Sequence, residues 1–183
     1  MAVKQPGETI SYIVTYLEMT ARPATQIPPT PAGPLLALIR AEAPPAHYFL
    51  YLYRAVGAAF EWTDWLARGE DEVEAFLSDA GVELFTLFTD GWPGGFFVLD
   101  TREAGVCELA YFGLVPEARG RGLARWLLAS AVHGGWDRPG VAKMTVNTNT
   151  LDHPRAITLY QWAGFAPVRR EEETRTLTRP RQV

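Results

Sequence analysis

The chain is poor in the residues that build disulfide and metal chemistry. Cys107 is the only cysteine among 183 residues, which excludes an intramolecular disulfide and a cysteine-cluster zinc site. The three histidines, His47, His133 and His153, lie far apart and lack metal-ligand spacing, so no metal is expected. No apolar run is long enough to cross a bilayer, and the N-terminus lacks a basic segment leading into a long apolar one. A soluble, cytoplasmic protein without a membrane partner is expected. Positive charge is scarce too: 17 Lys and Arg against 21 Asp and Glu leave a net charge of −4, which argues against a nucleic-acid-binding face. Internal repeats and interdomain linkers are lacking, and the length suits one domain over 1–183 with a full core.

What the chain does have is a clear alternation of element types. Ile10–Leu17 is β-branched and aromatic and reads as an opening strand. Five prolines between Pro23 and Pro34 force a surface connection. The large side chains of His47–Val56 suit a helix that continues toward Trp62 and Trp65. Glu70-Asp71-Glu72 opens a second helix with Val73, Phe76 and Leu77 on one face. Val82–Phe88 and Gly95–Asp100 read as a hairpin around Asp90–Gly94, and Val106–Val115 as a third strand. A helix then runs from about Gly120 to His133, burying Leu123, Leu127, Leu128 and Ala131, with Gly134-Gly135 as its stop. Val141–Val146 is a strand, and His153–Ala163 a helix with Asp152 as a candidate N-cap and Gly164 at its end. A charged final strand follows from Pro167. This order implies a mixed α/β sheet.

The densest chemical signal is Leu114-Val115-Pro116-Glu117-Ala118-Arg119-Gly120-Arg121-Gly122-Leu123-Ala124. A strand ends there and a glycine-rich turn opens a helix, so unpaired backbone N–H groups and the helix dipole converge on one point, as an anion cradle requires. A P-loop needs Lys-Ser/Thr after its last glycine, and Leu123-Ala124 stands there instead. A dinucleotide fingerprint needs a third small residue two places after Leu123, and that place holds Arg125.

What remains, Arg119-x-x-Gly122-x-Ala124, resembles the pyrophosphate-binding signature of the GCN5-related N-acetyltransferases (GNAT family). A second segment resembles the same family: Ala156, Tyr160, Gly164 and Phe165 match its Asn-x-x-Ala-x-x-x-Tyr-x-x-x-Gly-Phe pattern, with His153 in the place of the Asn. The resemblance implies the GNAT fold: a mixed central sheet with helices on both faces and a V-shaped splay between the strands near 106–115 and 141–147. It also implies a division of labour, with 106–166 as the acetyl-CoA-binding core and 1–100 on the acceptor side.

On this resemblance, acetyl-CoA is the co-substrate. Its pantetheine arm would pair with backbone near Leu114 and Val115, and its pyrophosphate would sit on Arg119, Gly120, Arg121, Gly122, Leu123 and Ala124, one of the two arginines lying in solvent. Asn149 and Ala156 join the cofactor-binding set; for Asn147 and Asn149, contact with pantetheine and turn chemistry stand as equal alternatives. Tyr160 matches the family tyrosine proposed to protonate the departing thiolate, against packing with Ile157 and Phe165. Glu108 matches the glutamate that serves as general base in the histone-acetylating branch, against an exposed or Arg-paired carboxylate. A backbone N–H at Leu114 or Val115 would polarise the thioester carbonyl. Cys107, next to Glu108 and so on the other face of the strand, reads as core.

The aromatics of Tyr48–Trp65, with Glu61 and Asp64 among them, would suit a cationic amine; otherwise they are core or homodimer contacts. The expected activity is transfer of an acetyl group from acetyl-CoA to a primary amine of a small molecule or peptide by direct attack. The alternative is a non-catalytic CoA-binding sensor or interaction module.

Overall fold

The central strands of the main sheet bury an alternating or continuous apolar face, while its two edge strands stay largely exposed. The computed structural model describes residues 3–24 and 26–182. Its elements are β1 (Val3–Lys4), β2 (Thr9–Met19), β3 (Leu36–Arg40), α1 (Ala46–Gly57), α2 (Glu70–Ser78), β4 (Val82–Thr89), β5 (Trp92–Asp100), β6 (Val106–Leu114), α3 (Leu123–Trp136), β7 (Lys143–Asn149), α4 (Ala156–Ala163), β8 (Ala166–Thr176) and β9 (Arg181–Gln182). Among the described residues seven strands form a mixed sheet in the order β3-β4-β5-β6-β7-β2-β8, while β1 and β9 pair separately. The strands β6, β7 and β8 run parallel. The crossovers β6–α3–β7 and β7–α4–β8 advance in the same direction, and both being right-handed they share one face. The helices α1 and α2 pack on the other.

Several boundaries differ from the sequence reading for local reasons. Asp90 (φ 52°) and Gly91 (φ 89°) alone make the β4–β5 turn, a two-residue hairpin with both centres left-handed, so Trp92–Gly94 already belong to β5. Gly134-Gly135 do not stop α3, which continues to Trp136. A Cβ at Gly135 would come within 2.4 Å of Met144 Cε and 3.1 Å of Cys107 Sγ, so this glycine admits close helix–sheet contact. Asp152 does not cap α4, whose N-cap is Arg155; its carboxylate accepts bonds from Thr148 Oγ1 (2.9 Å), the Asn149 N–H (3.0 Å) and Trp62 Nε1 (3.1 Å).

Two features were absent from the sequence reading. Leu36–Arg40 forms an edge strand after the proline-rich segment. The opening strand β2 lies between β7 and β8, antiparallel to both. Leu17, Phe49, Leu87, Phe96, Phe97, Leu109 and Leu127 form the fully buried centre, with α1 and α2 closing it on one side and α3 on the other.

Candidate active site

Strand β6 pairs with β7 only through Val106↔Lys143, Cys107↔Met144 and Glu108↔Thr145. Beyond Glu108 the two strands part, β6 staying with β5 and β7 with β2. The gap opens into a cleft of about 1080 Å³, the splay expected between 106–115 and 141–147.

At the mouth of the cleft lies the glycine-rich turn. Gly120 (φ 74°) and Gly122 (φ 76°) are left-handed, and Gly122 caps α3 without any side-chain bond. The N–H groups of Gly120 through Ala124 carry no hydrogen bond among the described residues, as the first turn of a helix leaves them. Arg119 supplies the cation. Its Nε donates to the Leu114 carbonyl (3.1 Å), its guanidinium lies 5.0 Å from the centre of the Phe60 ring, and its Nη2 is buried with no partner. A buried donor without an acceptor costs free energy, and an anionic group at the mouth would satisfy it. Burial pushes the Arg119 pKa down but leaves a guanidinium charged. The phosphates of acetyl-CoA fit this donor set.

The two arginines of the motif part company. Arg119, Gly120, Gly122, Leu123 and Ala124 line the cleft, whereas Arg121 turns away to pair with Asp90 of the β4–β5 hairpin at 2.6 Å. Val115 also falls outside the lining, and its N–H is spent on the Gly94 carbonyl at 3.0 Å; it has no donor to give an acyl carbonyl. Alternation along the ladder then turns the N–H and C=O of Leu114 toward the gap left by β7. Asn149 lines the cleft, but its side-chain oxygen accepts the Leu151 N–H at 2.8 Å, the turn role. Ala156 lines the cleft too. His153 accepts the Arg155 N–H through Nδ1 (3.2 Å) and meets the Phe60 ring edge-to-face.

Deeper in, a bulge sets which groups share a face. Val98 pairs with Tyr111 and Leu99 with Leu109, leaving Ala110 as the extra residue of β6. A bulge reverses the alternation of faces. Cys107 faces α3, where burial pushes its thiol up to about 12, and Glu108 therefore faces α1 and α2. After Ala110, Tyr111 faces the same way, with its ring on Phe49 and Tyr53 of α1. Gly113 follows: a Cβ there would lie 2.3 Å from Val56 Cγ1. Glu108 and Tyr111 thus meet on the α1 side, while Phe112 packs on Tyr160 of α4 on the other.

Six carboxylates line the cleft, and five are engaged. Arg102 holds Asp100 and Arg175 holds Asp64. Arg179 and Thr178 hold the fully buried Glu61, Tyr12 donates to Glu173, and Asp152 has the three partners given above. Glu108 makes no hydrogen bond or ion pair among the described residues. Burial, and then Asp100 facing it across the ladder, raise its pKa above the ordinary carboxylate value; Arg102 opposes this and Glu103 adds to it. Tyr160 is buried, its hydroxyl makes no hydrogen bond among the described residues, and burial followed by Asp152 raises its pKa further above the phenol range. It stays protonated at neutral pH.

The aromatic segment expected on the acceptor side reaches the cleft only in part. Tyr53, Trp62 and Trp65 line the cleft, but Glu61 and Asp64 are neutralised by arginines near the C-terminus of the chain. Sequence reading also missed the far wall, where Tyr12, Val14 and Tyr16 of β2 face the cleft beside Glu173 and Arg175 of β8. Only the position of β2 in the sheet brings them there, and no local pattern announces it.

A family model, Acetyltransferase (GNAT) family, matches residues 38–165. The chain belongs to the GNAT family. No functionally curated protein matches it at a significant level, but solved structures share its fold at low identity. A GCN5-related N-acetyltransferase from Kribbella flavida is 18% identical, with a TM-score of 0.58 over 93% of this chain and 57% of its own. A tandem GNAT protein from the clavulanic acid biosynthesis pathway is 17% identical, at 0.59 over 94% and 54%. An aminoglycoside acetyltransferase from an uncultured soil metagenomic sample, in complex with sisomicin, is 13% identical, at 0.57 over 70% and 87%. This chain spans between 54% and 61% of the length of the first three structures it resembles. The seven-stranded mixed sheet, its splay and the cleft are the family's architecture. Among the described residues no helix is long and apolar enough to cross a membrane.

Proposed function

We propose that this GNAT protein transfers an acetyl group from acetyl-CoA to a primary amine of a small molecule or peptide. One observation carries the donor assignment: the buried, partnerless Nη2 of Arg119 beside the free N–H groups of Gly120–Ala124, a set of donors that lacks an anion. Acetyl-CoA supplies the acyl group as a thioester. Arg119 and the turn hold its phosphates, and Leu114, with β6 down to the Ala110 bulge, offers backbone groups to its arm.

The remaining chemistry falls to two side chains. Glu108, unpaired and with a raised pKa, accepts the proton that the amine must lose as its nitrogen attacks the acetyl carbonyl. The C–S bond breaks, and Tyr160 donates its hydroxyl proton to the departing sulfur. They lie on opposite sides of the sheet plane, so the amine enters from the α1 side while the donor lies toward α3 and α4. The aminoglycoside acetyltransferase among the solved neighbours supports a small amine acceptor in general terms.

Calorimetric titration with acetyl-CoA, followed by thiol release over a panel of amines, tests the reading. Saturable binding and amine-dependent thiol release are expected. Absence of binding overturns it; tight binding with no acceptor favours a CoA sensor.

A further inference from the structure

We infer that Arg125, held on the ring of Trp162, binds the ribose phosphate monoester of CoA, so that this chain selects CoA over pantetheine thioesters lacking that group; this rests on the acetyltransferase reading above. The pyrophosphate of CoA falls to the turn and Arg119. Its remaining phosphate is a monoester on the adjoining ribose, close to a dianion at neutral pH. It is tied to the same sugar as the pyrophosphate, so its partner must stand beside the cradle.

Arg125 directly follows the cradle, in the first turn of α3. A cation is disfavoured there by the helix dipole, which attracts anions to an N-terminus, and that turn holds no acidic residue to offset it. Among the described residues the guanidinium of Arg125 has no ion pair and no hydrogen bond. Its contact is the Trp162 ring of α4, 5.0 Å from the ring centre. Trp162 is 43% exposed and lies outside the buried core, and both side chains line the cleft. An aromatic face holds a guanidinium flat and leaves its N–H edge outward, a planar fork for two phosphate oxygens.

The charges around the cleft are divided in the same sense. Arg102 and Arg175 on the acceptor side are paired with Asp100 and Asp64, and Arg121 with Asp90. Arg119, Arg125 and Arg155, on the turn before α3, in its first turn and at the N-cap of α4, line the cleft without an ion pair among the described residues. Unbalanced positive charge is thus gathered where a phosphate-rich ligand is proposed to lie.

Calorimetry on the full chain compares CoA with dephospho-CoA, which lacks only the ribose phosphate. CoA binds about tenfold more tightly, as a charge-assisted bond to this group requires, and the ratio falls as salt is raised. Arg125→Gln, at an exposed position, lowers the ratio to about twofold or less and leaves the affinity for dephospho-CoA as in the parent. A general disturbance of the fold would instead weaken both ligands. Trp162→Leu lowers the ratio about threefold, and Trp162→Phe, which keeps an aromatic face, restores most of it. Equal affinities in the parent, or the parent's ratio in Arg125→Gln, overturns the phosphate site while leaving the acetyltransferase reading intact. An unchanged ratio in Trp162→Leu overturns the part given to the ring. Failure of both ligands to bind overturns the acetyltransferase reading and this inference with it.

Discussion

The two sides of the cleft are built from different materials. The side proposed for the donor is one continuous stretch, Leu114 to Ala124, whose polar groups are mostly backbone N–H atoms exposed by left-handed glycines and a helix start. The acceptor side is assembled from side chains on β2, α1, the segment after it, α2, β5, β6 and β8. A backbone cradle is indifferent to most side chains and fixed by local conformation. A side-chain wall depends on register across the whole sheet, and on which charges find partners. The first suits a ligand recognised by its anionic groups; the second is set one side chain at a time.

Substitutions can break or sharpen that contrast. The largest loss is expected for Glu108→Gln, about 10³-fold in kcat/KM near neutral pH, with the acetyl-CoA affinity measured by calorimetry unchanged. In the parent, kcat/KM rises with pH through an acidic limb, because the base must be deprotonated, and its midpoint lies above the ordinary carboxylate value; the variant lacks that limb. Tyr160→Phe should lower kcat about 10²-fold and leave KM for both substrates close to that of the parent. Arg119→Ala should raise the acetyl-CoA dissociation constant about tenfold or more, as a charge-assisted bond is lost. Arg121→Ala, from the same motif, should change it by less than about twofold, since its exposed pair with Asp90 contributes little. Equal effects at Arg119 and Arg121 would remove the distinction between a cradle arginine and a hairpin arginine.

Glu108→Gln also separates catalysis from stability. A carboxylate whose folded pKa is raised favours the fold below its unfolded pKa, and that contribution is lost as pH rises through the folded value. The variant should therefore melt at a higher temperature than the parent at neutral pH, and show no such gain at low pH. A lower melting temperature at neutral pH would mean that Glu108 is held by a stabilising partner.

The glycine-rich turn and the second motif were legible in the sequence because their determinants are local. Arg119, Gly120, Gly122 and Ala124 sit within one turn, and Ala156, Tyr160, Gly164 and Phe165 lie along one helix and its stop. What could not be read there is which groups are engaged elsewhere: the Val115 N–H goes to the Gly94 carbonyl, and Arg121, the arginine of the two that lies outside the cleft, pairs with Asp90. The acceptor side was legible only as a concentration of aromatics. That Glu61 and Asp64 are neutralised depends on Arg179 and Arg175, more than a hundred residues away in the chain, and no spacing rule reaches that far. The β3 strand escaped notice because its five residues follow a proline-rich stretch and stay half-exposed at the sheet edge. The Ala110 bulge is likewise invisible in sequence, although it decides that Glu108 and Tyr111 face the same side.

The position of β2 ties folding to function. Residues 9–19 precede both of their partners in the chain by more than a hundred residues, for those lie at 144–149 and 166–176. Until β8 exists, the first strand has only half of its bonding edges to fill, so closure is a late, non-local and slow event. The same event brings Tyr12, Val14 and Tyr16 to the cleft. The turn at Arg119–Ala124 takes its shape from local conformation, whereas this far wall exists only once β2 is seated between β7 and β8. Completion of the sheet is thus the step that encloses the cleft, and the last long strand to be added, β8, is the one that finishes it.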